Sequence, residues 1–208
     1  MKRVLLAAAA LACAAVTACS PVQVGAAATI GDQRISTQQL DNYVQEFQSA
    51  LEAAKMPVDQ TRLPGTVPQA VLLQLVNVRQ FIKVAQNNGV FVSEGEIDAF
   101  MAQQGGDAAV NSALLGRGVP PTMVREWLRA SIGAQKMIAQ LGGGTDEAAA
   151  TAGQQKLAVE ADKVKVEINP RYGDFDPSVG WVQDTKFGKI GSTASTAASD
   201  EVAAAPAG

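Results

Sequence analysis

Cys19 carries the clearest chemistry in this chain. It follows Val16-Thr17-Ala18, at the end of an apolar run that begins at Val4 behind Lys2 and Arg3. A cationic start, a short apolar core and a small-residue cleavage zone are the parts of a secretory signal peptide. A thiol directly after the cut is placed for acylation through its sulfur. Cys13 is the only other cysteine, and it leaves with the leader. The mature chain therefore has no second thiol for a disulfide, a metal site or a catalytic cysteine. The sequence also contains no histidine. That excludes Ser-His-Asp and Cys-His catalysis, His-ligated zinc and His general-base chemistry. Carboxylate pairs and Ser-Lys arrangements survive the exclusion.

The remaining chemical motifs have plainer readings. Asp174-Phe175-Asp176 has the form of a D-x-D metal or nucleotide-sugar motif, but no other ligands cluster with it, so a turn is expected there. Gly142-Gly143-Gly144 lacks the Lys-Ser/Thr of a phosphate loop and follows no strand, so it reads as a helix terminator. Asp41, Glu46, Asp98 and Glu126 are scattered over helices, and nothing sets two of them across a cleft as a glycosidase pair needs. No cofactor, no metal and no catalytic residue is expected.

The placement of Cys19 resembles a bacterial lipobox, in which that cysteine is lipidated and becomes the mature N-terminus. Ordinary secretion is the alternative, since Val16 and Ala18 also suit a general signal peptidase. The leader is too short to span a bilayer, which takes about 20 apolar residues. Losing Lys2 and Arg3 with residues 1–18 moves the formal charge from −3 to −5. A mildly acidic surface disfavours nucleic acid and supplies no polybasic patch for anionic lipid. Attachment to a membrane would rest on acyl chains at Cys19, on the extracytoplasmic face.

Stepping along the mature chain, residues 19–26 read as a tether, 27–177 as one folded domain and 178–208 as a flexible tail of small residues. Gly31-Asp32 between Ala28-Thr29-Ile30 and Gln33-Arg34-Ile35 predicts a hairpin turn. Ser36 with Gln39 is a capping box opening a helix with Leu40, Tyr43, Val44, Phe47 and Leu51 on one face, ended by Met56-Pro57. Pro68 opens a second helix, apolar around most of its circumference and ended by Asn87-Asn88-Gly89, which predicts the central core helix. Ser93 and Glu96 form another capping box. Gly105-Gly106 ends that helix, and a short one follows over 107–115. Thr122 is placed to cap a helix running to about Leu141. Residues 146–163 are Ala-rich and polar, with only Leu157 and Val159 as large apolar groups, which predicts a surface helix. Val164, Val166 and Ile168 alternate with polar residues as a half-buried strand does. A lone strand needs a partner, and the only other candidate lies near 27–35. The fold class is therefore mainly α: a bundle of five to six helices, with a small β element pairing residues about 27–35 with about 164–169.

Phe100, Met101, Met123 and Trp127 fall on short helices between Gly and Pro breaks. Met and aromatic side chains adapt to varied apolar partners, so these four are the candidate peptide-binding residues. Core packing is the competing explanation.

Three segments carry a family resemblance: Ile30-Gly31-Asp32-Gln33-Arg34-Ile35-Ser36 leading to Gln39-Leu40-Asp41; Leu72, Leu75, Val76, Ile82 and Ala85 leading to Gly89-Val90, Val92-Ser93 and Glu96-Ile97; and Val164, Val166, Ile168-Asn169-Pro170-Arg171-Tyr172-Gly173. In that order the chain resembles the N-terminal chaperone module of SurA/PrsA-type extracytoplasmic folding factors, in a short lipoprotein form. Longer members continue into a parvulin-type prolyl isomerase domain whose active site uses histidines. This chain has none, so the resemblance implies only the non-catalytic part: a helical body that binds unfolded or exported polypeptides. The alternative is an adaptor or structural envelope lipoprotein with one dedicated protein partner. The sequence does not specify an oligomeric state. Cells fed radiolabelled fatty acid should label the protein, and Cys19→Ala should abolish the label; label persisting in the variant would exclude the acylated cysteine.

Overall fold

A computed structural model describes residues 25–144, 146–176 and 180–182. Cys19, the leader and tether through residue 24, and residues 183–208 lie outside the described residues.

The chain begins as a hairpin. Strand β1 (Ala26–Ile30) pairs antiparallel with β2 (Gln33–Ser36), Ile30 opposite Gln33. Gly31 takes φ 56°, a left-handed conformation glycine adopts without a Cβ penalty. Asp32 in the same turn bonds Lys83 at 3.0 Å, and that pairing holds the Asp32 carboxyl below its usual range. Helix α1 (Thr37–Ala53) starts at Ser36, whose Oγ accepts the Gln39 N–H at 3.0 Å. It buries Leu40, Phe47 and Leu51.

Helix α2 (Val67–Asn87) is the core. Nine of its residues are buried, from Ala70 to Ala85. The predicted Pro sits in its first turn, but the cap is Thr66, in a reciprocal box with Gln69. Gly89 closes the far end at φ 70°. Helix α3 (Glu94–Gln103) carries the full Ser93–Glu96 box, with Ser93 N–H donating to Glu96 at 2.9 Å. Helix α4 (Asp107–Leu115) follows the two glycines. Helix α5 (Val124–Gly142) is preceded by a 3-10 turn at Pro121–Met123. Its start is satisfied from another helix. The Thr122 N–H and hydroxyl donate to the Glu46 carboxylate of α1, at 2.7 and 2.6 Å. Thr122 was expected to cap α5 by itself. Instead a carboxylate meets the positive end of the helix, where the macrodipole favours it.

Helix α6 (Glu147–Asp162) is a surface helix as expected, burying only Gly153 and Leu157. It nevertheless packs on α5 closely enough that backbones touch. A Cβ on Gly153 would overlap the Ile138 carbonyl oxygen and sit 2.9 Å from its carbon. A Cβ on Gly142 would meet the Ala149 carbonyl in the same way. Leu157 is buried and Val159 stays 59% exposed. The small residues that looked like a weak apolar face are what permits the approach.

Strand β3 (Val166–Ile168) returns to the free side of β1, with Ile30 opposite Val166 and Ala28 opposite Ile168. The sheet order is β2-β1-β3, so the two ends of the domain pair as predicted. Ala26, Ala27, Ala28 and Ile30 have no exposed surface, because α2 covers β1. Asp174–Asp176 and Gly180–Val182 form two further antiparallel strands, β4 and β5. The turn expected at Asp174-Phe175-Asp176 is thus a strand, and the tail expected from residue 178 contains one. Trp181 is the reason: its ring meets Phe175 edge-on at 5.4 Å and lies against Gly65. Such contacts turn a polar segment into a packed hairpin.

Gly153→Ala is expected to destabilise the protein by on the order of 1 to 3 kcal/mol, since the α5–α6 backbones must separate. Gly95 on α3 has nothing within 4 Å of where a Cβ would stand. Gly95→Ala should therefore stabilise by about 0.5 to 1 kcal/mol through the unfolded chain. Thermal and denaturant midpoints of the two variants check the contrast.

Candidate cleft between helices α3, α4 and α5

Apolar side chains with no exposed surface close the core, Phe47, Leu72, Leu75, Ile97 and Met137 among them. Where α4 turns away from α5, the packing leaves a half-open cleft of about 300 Å³. Phe100 from α3, Val110 and Leu114 from α4, and Trp127 and Leu128 from α5 form its apolar walls. Gln104, Arg117 and Ser131 are its polar edge. That volume is at the small end of ligand pockets, roughly 300 to 1,000 Å³, and suits one or two side chains.

The four candidate residues separate here. Phe100 and Trp127 are partly exposed and line the cleft. Met101 is 5% exposed, and its sulfur takes Arg125 Nη1 at 3.8 Å. Met123 has no exposed surface at all. Both methionines are core residues, and neither reaches the cleft. Periodicity could not separate them because α3 and α5 each face the core with one side and the cleft with the adjoining side.

The position of Trp127 is fixed by a polar relay that sequence reasoning missed. Trp127 Nε1 donates to Gln74 Oε1 at 3.2 Å, and Gln74 Nε2 donates to the Arg117 carbonyl at 3.0 Å. A satisfied indole N–H holds the ring in one orientation. Gln74 interrupts the apolar run Val71-Leu72-Leu73-Gln74-Leu75-Val76, which is the one sequence signal that pointed to it.

The contact between α3 and α5 is also held by charge. Arg125 on α5 bonds Glu94 at 2.6 Å and Asp98 at 2.8 Å, both on α3. Arg129 bonds the other oxygen of Glu94. Lys136 reaches Glu96 at 2.7 Å and the Phe91 carbonyl at 2.8 Å. These pairs are exposed, so each is weak and screened by salt; shared carboxylates give them geometry more than energy. The Arg125 hydrogen bond lowers the Glu94 carboxyl, and Glu94 in turn raises Arg125. Of the scattered carboxylates, Asp98 and Glu46 thus have structural partners. Among the described residues no three His, Cys, Asp or Glu side chains converge as a metal site. Nor is any helix among them long and apolar enough to cross a membrane.

Glu96 sets an acid limit on the α3–α5 clasp. The Lys136 hydrogen bond, then those of the Ser93 backbone and hydroxyl, pull its carboxyl from 4.5 down to about 2. A carboxyl depressed in the folded state stabilises fully above its unfolded value and loses that contribution as pH falls through its folded value. The loss therefore runs from about pH 4.5 to about pH 2. Glu96→Gln should flatten the stability profile across that window while lowering stability at neutral pH. Denaturation midpoints from about pH 6 to about pH 2 measure it.

Comparisons of this chain with protein families, with curated proteins and with solved structures found no match.

Proposed function

We propose that this protein is a lipid-anchored, extracytoplasmic binding protein of the chaperone type, without catalysis, that holds apolar segments of unfolded or exported polypeptides. The observation that carries the reading is the α3–α4–α5 cleft, with two partly exposed aromatic side chains in its walls. A half-open cleft removes only part of a bound side chain from water, so it binds weakly. Weak capture suits a holding protein, whose clients must leave again. The acyl anchor at Cys19 offsets the weakness by raising local concentration where chains emerge from export. The resemblance to the SurA/PrsA N-terminal module supports the same reading from the sequence.

One observation favours the adaptor alternative. Phe91 is 69% exposed, on a segment whose backbone Lys136 ties to α5. A fixed, exposed aromatic side chain suits a single folded partner. Crosslinking in cells separates the two: one stoichiometric partner supports the adaptor, many unrelated exported chains the chaperone.

Ala113 lines the cleft from the exposed side of α4. Ala113→Glu puts a carboxylate there without touching the core. Suppression of client aggregation by residues 20–208 should fall several-fold, with helical content and melting temperature held. Unchanged suppression would remove the cleft as the site. No suppression by the parent chain at several-fold molar excess would remove the holding function.

A further inference from the structure

Phe100 and Trp127 explain the walls of the cleft but not its mouth. Arg117 lines the same opening just past the end of α4, and it is exposed. Its guanidinium has no ion pair or hydrogen bond among the described residues. The neighbouring arginines differ, since Arg125 and Arg129 are occupied by Glu94 and Asp98. Gln74 fixes the Arg117 backbone relative to the Trp127 ring, through one hydrogen bond to each. An apolar wall and the backbone of an exposed arginine are therefore tied together, on a chain whose net charge is negative.

We infer that the cleft selects a polypeptide segment in which a large apolar side chain adjoins the carboxylate of an Asp or Glu side chain. The apolar group enters between Phe100 and Trp127, and the carboxylate meets Arg117. The planar guanidinium fork matches a carboxylate with two parallel hydrogen bonds. Gln104 and Ser131, the neutral polar groups of the cleft, can bond the peptide backbone on either side. Gln74 is a positioning residue: it touches no client and sets where Trp127 and Arg117 stand.

This inference rests on the peptide-holding reading, and one experiment separates the two. The full chain, carried on lipid vesicles, is titrated with three labelled peptides that share a central Leu-Phe and carry Asp, Asn or Lys on both flanks. Fluorescence anisotropy reads the binding. The Asp peptide should bind about two- to fivefold more tightly than the Asn peptide, as an exposed ion pair contributes, and the Lys peptide less tightly than either. Arg117→Glu should invert that order, and circular dichroism should show the fold intact, since the exposed Arg117 side chain makes no hydrogen bond or ion pair among the described residues. The preference should shrink as salt rises from about 0.05 to about 0.5 M. Equal binding of the three peptides, or an order unchanged by Arg117→Glu, would overturn the carboxylate preference and leave apolar holding in place. No binding of any peptide would overturn both.

Discussion

Helix α2 is apolar around most of its cylinder, and no single neighbour can cover it. Fully burying one Val, Leu or Ile side chain is worth about 1.5 to 3 kcal/mol, so an uncovered α2 would forfeit most of the stability available to a domain of this size. The other elements stand where that demand puts them. Helix α1 lies along one side and α5 along another, with α6 and β1 closing the rest. Strand β1 lies flat against α2 because its inner residues are alanines. Gly133 does the same for α5, with Ala85 of α2 3.5 Å from where its Cβ would be. Small residues at the contacts let a large apolar helix be enclosed without voids.

The cleft is a consequence of this arrangement. Helices α3 and α4 are short, broken from each other by Gly105 and Gly106, and turned away from the axis of α2. Both put apolar residues into the core, Ile97 and Met101 from α3 and Val110, Leu114 and Leu115 from α4, and α3 is also tied to α5 by exposed pairs of arginine or lysine with carboxylates. Such a contact leaves apolar surface at its edge. Phe100 and Trp127 occupy that edge, each with one face on the core and one toward solvent. A binding site and a packing compromise have the same origin here. The Gln74 relay makes the difference between them, because it fixes an aromatic ring that packing alone would leave free to turn.

Local chemistry made much of the fold legible. Gly31-Asp32, the Ser93–Glu96 box, Pro68, Asn88-Gly89 and Gly105-Gly106 act within a few residues of themselves, and each has its expected effect. The pairing of β1 with β3 was also legible, though it joins opposite ends of the chain, because period two at residues 164–168 demanded a partner and only one existed. What could not be read involved groups far apart in sequence. Glu46 supplies the α5 start from 76 residues away. Gly153 gains its meaning only when the Ile138 carbonyl stands against it. Trp181 makes a hairpin out of a stretch whose composition suggested none.

The sequence by itself determined the helical class, the order of the six helices and the strand that pairs with β1, because each depends on neighbours along the chain or on a residue's own side chain. That the chain carries no histidine is likewise read from the sequence alone. Tertiary structure alone decided which apolar residues remain at the surface. Met101 and Met123 were as good candidates as Phe100 and Trp127 by type and spacing. Phe100 and Met101 are adjacent on α3, and which of them faces the core is set by how α3 meets its neighbours, not by a pattern within it, while Met123 lies in the 3-10 turn ahead of α5. Likewise only the tertiary structure sets Glu94 and Asp98 against Arg125 and Arg129 across the α3–α5 contact and puts Arg117 at the mouth of the cleft.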